Sequence, residues 1–183
     1  MERIIETPLT DDLIETLKVG DLVYLTGYIF TARDAAHKRL AACLDKNEPL
    51  PFDVEGQIVY YAGPCPNKPG YVIGPIGPTT STRMDKYSPK LIAAGLKGML
   101  GKGERSQAVK DATMKHKGIY FAAIGGVAAL MAKCVKSVEV VAFEDLGTEA
   151  IRRLYVEKMP LIVALDSDGG NIYKRDGDKL RSS

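Results

Sequence analysis

A short segment from Gly74 to Asp85 combines a rigid turn with hydroxyl groups and charges. It contains two Gly-Pro pairs, and each proline fixes its own φ and disfavours a helical conformation in the residue before it. Four hydroxyl residues follow, from Thr79 to Thr82, and Arg83 comes next. Thr82 and Asp85 have capping-box spacing, which predicts that a helix begins just after Thr82. The helix dipole disfavours a cation in a first turn, so Arg83 indicates either a bound anion or an incidental surface arginine.

A cation near a predicted helix start occurs twice more. Thr31 and Asp34 again have capping-box spacing and place Arg33 in a first turn, and Lys102 lies between two glycines just before another predicted helix. Helix N-termini already offer free N–H groups to anions. Two arginines that bind carboxylates in bidentate fashion, with one lysine as a point charge, suit a small dianion. The sequence therefore favours an anion pocket containing Arg33, Arg83 and Lys102 over separate ion pairs with neighbouring acids.

The chain has only two histidines. His37 lies one helical turn after Arg33, where its ring faces the same pocket or is a buried helix histidine satisfied by its neighbours. The sequence leaves these two interpretations open. His116 stands between two lysines at a predicted helix end, which is typical of a solvated residue that interacts favourably with the C-terminal dipole.

Composition restricts the class of protein. The 183 residues are 45% hydrophobic, enough for one substantial core and one domain. A formal net charge of +2 argues against a strongly basic nucleic-acid binder, and no run of 18 apolar residues predicts a membrane span. The first residues are acidic and lack an apolar signal core, so we expect a cytoplasmic protein. Cys43, Cys65 and Cys134 form no ligand pattern and are expected to be free thiols.

Alternating strand and helix signals predict a mixed α/β domain that would position these residues. The predicted strands are 21–30, 58–61, 98–100, 119–124, 138–143 and 161–165. The predicted helices are 10–17, 31–46, 85–96, 104–115, 126–133 and 148–157, with Pro89 either kinking its helix or opening a second one. A turn at 166–170 is expected to form a hairpin with 171–173. Residues 1–175 are interpreted as one compact domain, and residues 176–183 as a charged tail.

Four motifs resemble one family over nearly the whole chain. They are Thr-Ala-Arg-Asp-Ala-Ala-His-Lys, Gly-Pro-Thr-Thr-Ser-Thr-Arg-Met-Asp, Gly-Lys-Gly-Glu-Arg-Ser and Phe-Glu-Asp-Leu-Gly-Thr-Glu-Ala-Ile, in that order. In this order they are similar to the β subunit, or C-terminal domain, of the iron–sulfur-dependent (class I) fumarases and L(+)-tartrate dehydratases. The resemblance implies a swivelling β/β/α domain that closes over a cluster-bearing domain, and the reversible hydration of fumarate to malate.

The resemblance also implies a division of labour between two subunits. A [4Fe-4S] cluster is expected in a partner α subunit, with none bound by this chain alone, so the expected assembly is a hetero-oligomer without nucleic acid or membrane. The family's carboxylate-binding arginine falls on Arg33, its catalytic threonine on Thr79, its second arginine on Arg83 and its lysine on Lys102. Thr80 is expected to bind substrate beside Thr79, and no residue here is expected to bind metal.

Three functions stay open at this point. Fumarate hydration leads, L(+)-tartrate dehydration is the close competitor within the same chemistry, and a non-catalytic dicarboxylate-binding module is the alternative from another class. The acid–base assignment of Thr79 and Lys102, and the oligomeric state, are not decided by the sequence.

Overall fold

A computed structural model describes residues 2–124 and 128–174 of the chain. Within these residues the strands form one sheet with the order β1-β2-β3-β4-β5-β7-β6. The strands are β1 (Glu2–Glu6), β2 (Leu22–Thr31), β3 (Ile58–Tyr60), β4 (Gly98–Gly101), β5 (Ile119–Ala123), β6 (Val135–Ala142) and β7 (Ile151–Leu165). Strands β1 to β5 pair in parallel, and β7 is antiparallel to each of its neighbours.

Strand β7 closes part of the sheet into a ring. Its 15 residues pair with β5 through Leu161–Leu165 and also with β2 through Arg152–Ile162. Strands β2, β3, β4, β5 and β7 therefore surround a common interior, while β1 and β6 extend the sheet outside the ring.

The helices cover both faces of this sheet. They are α1 (Asp11–Thr16), α2 (Asp34–Asp45), α3 (Ser88–Ala93), α4 (Gln107–Lys115) and α5 (Ala128–Cys134), with 3₁₀ turns at Ser81–Met84 and Glu144–Glu149. One apolar cluster includes side chains of α1 and α5, and a second includes side chains of α2, α3 and α4. None of these helices, in the part of the chain that is described, is long and apolar enough to cross a membrane.

Successive side chains along the strands point to opposite faces of the sheet and so contribute to both apolar clusters. Ile119 and Phe121 of β5 point into the first cluster, whereas Tyr120 between them points into the second. Ile58 and Val59 of β3 divide in the same way. Parallel strands with both faces buried are expected to be rich in apolar residues, as these are.

The mixed α/β class predicted from the sequence is confirmed. The predicted strands at 21–30, 58–61, 98–100, 119–124 and 138–143 are present with small changes of boundary. Thr10 caps α1, since its hydroxyl accepts the Leu13 N–H at 3.2 Å. Pro89 opens α3 rather than kinking a longer helix. Of the helix predicted at 126–133, residues 126 and 127 lie outside the described residues, as does the tail from 175 onwards.

The helix predicted at 148–157 is wrong. The 3₁₀ turn ends at Glu149, and β7 begins at Ile151. Ile151 and Leu154 have a spacing that also fits a helix, but Leu154 and Val156 are buried in alternation. This segment pairs with β2 on one side and β6 on the other, and those long-range ladders override the local pattern.

We expect Gly101→Ala to destabilise the fold by about 1–3 kcal/mol, because the site has no room for a methyl group. A Cβ atom at this position would overlap the buried Ser81 hydroxyl and lie 2.8 Å from the Tyr61 ring. Urea unfolding would measure the loss. Gly118→Ala is the matched control, since its Cβ would meet no atom closer than 3.5 Å. Equal stability of the two variants would contradict the steric argument.

Candidate active site

The candidate residues follow the carboxyl ends of three adjacent parallel strands. Strand β2 ends at Thr31, two residues before Arg33. Strand β3 ends at Tyr60, and the long segment after it returns to the same edge of the sheet. Strand β4 ends at Gly101, immediately before Lys102. In open α/β sheets this edge is where ligands bind, so the topology alone brings these segments together.

Backbone pairing joins the threonines to Lys102. The Thr79 N–H donates to the Tyr61 carbonyl at 2.7 Å, and Thr80 forms an isolated parallel bridge with Lys102. The Ser81 N–H then donates to the Lys102 carbonyl at 2.9 Å. Thr79 is half-buried, whereas Thr80 and Lys102 are exposed. The segment containing the hydroxyl groups therefore lies alongside the lysine at one end of β4.

Asp34 joins the two arginines. Its Oδ2 atom lies 2.7 Å from Nη2 of Arg83, and its Oδ1 atom lies 4.0 Å from Nε of Arg33. Both Asp34 Oδ1 and Arg33 Nε are buried without a hydrogen-bond partner in the described part of the protein. Arg83 keeps 51% of its side chain exposed. Two cations thus share one carboxylate that does not satisfy both of them.

The ion pair of Arg83 with Asp85, which was the alternative to an anion pocket, is not formed. The Asp85 carboxylate instead accepts hydrogen bonds from Arg105 Nε and from the Ser106 N–H, each at 2.7 Å. Lys102 takes part in none of the ion pairs found among residues 2–124 and 128–174. Counting Arg33, Arg83 and Lys102 against Asp34, this edge of the sheet has more positive than negative charge.

Two of the predicted helix starts at this edge are wrong. Thr31 is the last residue of β2, and its hydroxyl accepts the Arg152 N–H at 3.1 Å, so α2 begins at Asp34 with Arg33 as the N-cap residue. Thr82 lies inside the Ser81–Met84 3₁₀ turn, because the Asp85 carboxylate that would complete the capping box is held by Arg105.

The third helix start is also shifted. Helix α4 begins at Gln107 with Ser106 as its cap, five residues after Lys102. Of the three cations, only Arg33 therefore stands at the N-terminus of an α-helix. The dipole argument applies to that residue alone, although all three lie at the same edge of the sheet.

His37 is buried beneath the site. Its Nδ1–H donates to the Arg33 carbonyl at 2.9 Å, and its ring meets the edge of Tyr61 at 5.3 Å between centroids. Nε2 has no hydrogen-bond partner within the described residues. Burial lowers the pKa of His37 from 6.5 to about 4, and the nearby positive charge of Arg105 adds to this effect. His37 is therefore neutral at pH 7 and supports the backbone of Arg33.

Comparison with known proteins decides the family. The family described as "Fumarase C-terminus" matches residues 2–176. The chain belongs to this fumarase C-terminal family. It is 42% identical over 178 residues to a protein named "Putative L(+)-tartrate dehydratase subunit beta" from Methanocaldococcus jannaschii, covering 94% of this chain and 91% of that protein.

Two relatives named as fumarate hydratases are longer. The chain is 42% identical over 159 residues to "Fumarate hydratase class I, aerobic" from Escherichia coli strain K12, and 41% identical over the same length to "Fumarate hydratase 2" from Leishmania major. Each match covers 86% of this chain, which spans only 29% and 28% of the two relatives. The family resemblance read from the motifs is thereby confirmed.

Arg105 lies beside the candidate site and was not selected from the sequence. Its side chain is fully buried, and its guanidinium contacts Asp85, Tyr61 and Ser88. The residue belongs to the Gly-Lys-Gly-Glu-Arg-Ser motif, which was noticed only for its lysine. An arginine beside a glycine-containing motif is the one signal that the sequence carried, because its partners are 17 to 44 positions away.

The described residues contain no group of three or more His, Cys, Asp or Glu side chains that could hold a metal ion. Cys65 is exposed, and Cys43 and Cys134 are partly buried as free thiols. A four-iron cluster needs several cysteine ligands close together. The residues present therefore do not fit such a cluster.

We predict that His37 makes the fold sensitive to mild acid. Its pKa is about 4 when folded and 6.5 when unfolded, so the unfolded state binds more protons between these values. The contribution of neutral His37 to the free energy of unfolding is present above pH 6.5 and is lost as the pH falls towards 4. At pH 5 the loss amounts to about 2 kcal/mol.

Urea unfolding at pH 7 and pH 5, for the wild type and for His37→Gln, measures this effect. The wild type should lose more stability between the two pH values than the variant, because only the wild type has this titrating group. An equal loss in both proteins would rule out His37 as the cause.

Proposed function

We propose that this chain is the β half of a heteromeric hydro-lyase that reversibly adds water to fumarate to give malate. The proposal rests on membership of the fumarase C-terminal family and on the arrangement of charges at one edge of the sheet. The observation that carries it is that segment 79–83 pairs with Lys102 through the backbone of Thr80 and Ser81 and, through Arg83, with Asp34, which lies 4.0 Å from Arg33. A four-carbon dicarboxylate carries two charges that match this set of cations.

Arg33 and Arg83 would bind the substrate carboxylates. Each guanidinium presents a planar fork of N–H donors that matches a carboxylate. Arg83 is half exposed and now pairs with Asp34 through a single short contact, which leaves donors for a ligand. Arg33 has a buried Nε without a partner among the described residues, and a second carboxylate would reach the exposed part of the same guanidinium.

The reaction moves a proton and a hydroxyl group. In the dehydration direction a proton leaves the carbon next to one carboxylate, the electron pair spreads into that carboxylate, and the hydroxyl group leaves the neighbouring carbon as water. The negative charge that develops on the carboxylate is greatest in the transition state, so fixed cations accelerate the reaction by stabilising it. Lys102, beside the threonines, would add to that field.

Thr79 is proposed as the proton-transfer group, with Thr80 binding substrate next to it. A threonine hydroxyl is a weak base, so it needs a neighbour that lowers its pKa or removes its proton. Lys102, whose backbone pairs with that of Thr80, is the proposed neighbour in this chain, and an acid from the partner subunit is the other source. The half-buried position of Thr79, held by its N–H bond to Tyr61, suits a group that must keep one orientation.

A partner subunit would complete the site. The iron–sulfur cluster implied by the family resemblance would belong to that partner, since the residues described here do not fit it. When bound there, the cluster would supply a Lewis-acidic iron for the substrate hydroxyl. The coverage of the relatives supports an enzyme made of two parts. This chain matches nearly all of a protein named as a β subunit but less than a third of the fumarate hydratases.

The second candidate is L(+)-tartrate dehydration. The observation that favours it is the near full-length match to the relative named as a tartrate dehydratase β subunit. Tartrate and malate are both four-carbon dicarboxylates, so Arg33 and Arg83 would serve either one. The substrates differ by a hydroxyl group, which a polar site can distinguish strongly only where it has a hydrogen-bonding group for it.

Hydration of fumarate and dehydration of L-tartrate, measured without oxygen, would test the proposal. The chain is assayed alone and after mixing with the candidate cluster-bearing subunit. Activity in the mixture only, lost on exposure to air, is the expected result, and the preferred substrate identifies the enzyme. If the mixture is inactive on both substrates while the chain alone binds dicarboxylates, the protein is a binding module instead.

For the assembled complex we expect Arg83→Lys to lower kcat/KM by about tenfold or more, because lysine keeps the charge but loses the fork. Arg39→Lys is the matched control. Arg39, on the surface of α2, binds Asp145 through Nη1 and Nη2 of its guanidinium, at 2.8 and 2.6 Å. The control should keep wild-type kinetics. Wild-type turnover in a folded Arg83→Lys complex would rule out a bidentate contact with substrate.

A further inference from the structure

We propose that Arg105 is the positioning residue of this site: its buried guanidinium fixes the segments that carry Thr79, Arg83 and Lys102. The inference deepens the proposed function and rests on it. Arg105 is not itself offered as a catalytic residue, because its side chain is 0% exposed and does not face solvent where a substrate would lie.

The contacts of Arg105 link segments that are far apart in sequence. Nε donates to Asp85 at 2.7 Å, and Nη2 donates to the Tyr61 hydroxyl at 3.0 Å and to Ser88 Oγ at 2.9 Å. The Tyr61 hydroxyl also lies 3.0 Å from Ser88 Oγ, which in turn donates to the Met84 carbonyl. One guanidinium therefore ties the loop after β4 to the end of β3 and to the residues that follow the 3₁₀ turn.

Asp85, Tyr61 and Arg105 itself each lie close to a site residue. Asp85 is two positions after Arg83, and Arg105 is three positions after Lys102. Tyr61 accepts the Thr79 N–H on its carbonyl while its hydroxyl binds Arg105. A movement of the guanidinium would thus be transmitted through one or two residues to every proposed catalytic group in the chain.

Two aromatic rings fix the plane of the guanidinium. Its central carbon lies 5.0 Å from the Tyr61 ring centre and 4.8 Å from the Tyr120 ring centre. The Tyr120 hydroxyl lies 2.8 Å from the Gly103 carbonyl and 2.7 Å from Ser81 Oγ. Because the carbonyl only accepts, Tyr120 donates to Gly103 and accepts from Ser81. Burial raises the pKa of Tyr120, so this proton stays in place.

Arginine is required for this set of contacts. A lysine at position 105 would keep the charge and reach Asp85, but a single ammonium group lacks the rigid planar array that meets Asp85, Tyr61 and Ser88 together. The variant would keep a buried ion pair with Asp85, but the segments that Arg105 holds together would lose their relative positions. We therefore expect Arg105→Lys to separate positioning from stability.

Steady-state kinetics of the assembled complex measure this separation. Arg105→Lys should lower kcat by about 100-fold, the effect of misplacing reacting groups by roughly 1 Å. KM should rise by less than about fivefold, because the variant loosens only the Arg83 contact with substrate while Arg33, at the N-terminus of α2, keeps its position. If the lysine variant does not fold, Tyr61→Phe keeps the ring, removes one contact and should lower kcat by about three- to tenfold.

Thr113→Val is the matched control for a buried hydrogen bond. Thr113 lies in α4, where its hydroxyl donates to the Val109 carbonyl at 2.8 Å, away from the site segments. This variant should lose some stability and keep its kcat. If kcat falls equally in Thr113→Val and Arg105→Lys, or if folded Arg105→Lys keeps its kcat, the positioning role is refuted.

Hydrogen exchange on the chain alone gives a readout that does not need activity. In Arg105→Lys, amides of residues 79–84 and 101–104 should exchange faster, while those of β2 and β7 keep their wild-type rates. If the wild-type complex is inactive, the proposed function fails but this local loosening still supports Arg105 as the tie between the loops. Unchanged exchange in these segments overturns the inference in either case.

Discussion

A charge without access to water must find all its partners inside the protein, and this requirement shapes the loops around Arg105. Burying a guanidinium is costly unless it is paired and hydrogen bonded. Here Asp85 and Tyr61 lie in segments outside the helices and strands, and Ser88 is the first residue of α3. The need to satisfy one cation thus turns irregular loops into a fixed surface, which a site built on loops otherwise has to obtain from packing.

The sheet decides where those loops meet. Because β2, β3 and β4 are parallel neighbours, their carboxyl ends lie side by side, and each connection leaves from the same edge. Strand β7 closes the ring and runs antiparallel to β2 and β5, so it begins rather than ends at this edge. Catalytic candidates and structural elements are thereby separated within a small domain: one edge carries the charges, and the ring beneath carries the apolar core.

The sequence predicted the local elements better than the long-range ones. From Ile119 to Phe143, apolar runs bounded by turns identified β5 and β6 correctly, although only β5 is largely buried and most of β6 is exposed. The segment after Glu149 was misread as a helix, since the pairing of Arg152 with Thr31 that makes it a strand spans more than a hundred positions.

The site residues show the same limit. Arg33, Arg83 and Lys102 were selected through predicted helix starts, two of which are shifted and one of which is a 3₁₀ turn, yet the sheet brings all three to one edge. Their roles remain predictions. Arg105 could not be selected in this way, because burial and a distributed set of partners leave almost no local trace in a sequence.

The carboxylate of Asp34 gives the resting site a counterion of its own. Any anion that binds Arg83 must compete with a group that is already in place and has no translational entropy to lose. A small monoanion gains one contact and displaces an equal one, whereas a dianion that engages Arg33 at the same time gains a second. The internal carboxylate would therefore act as a filter for ligand charge, admitting dicarboxylates while excluding chloride, acetate and other abundant single charges.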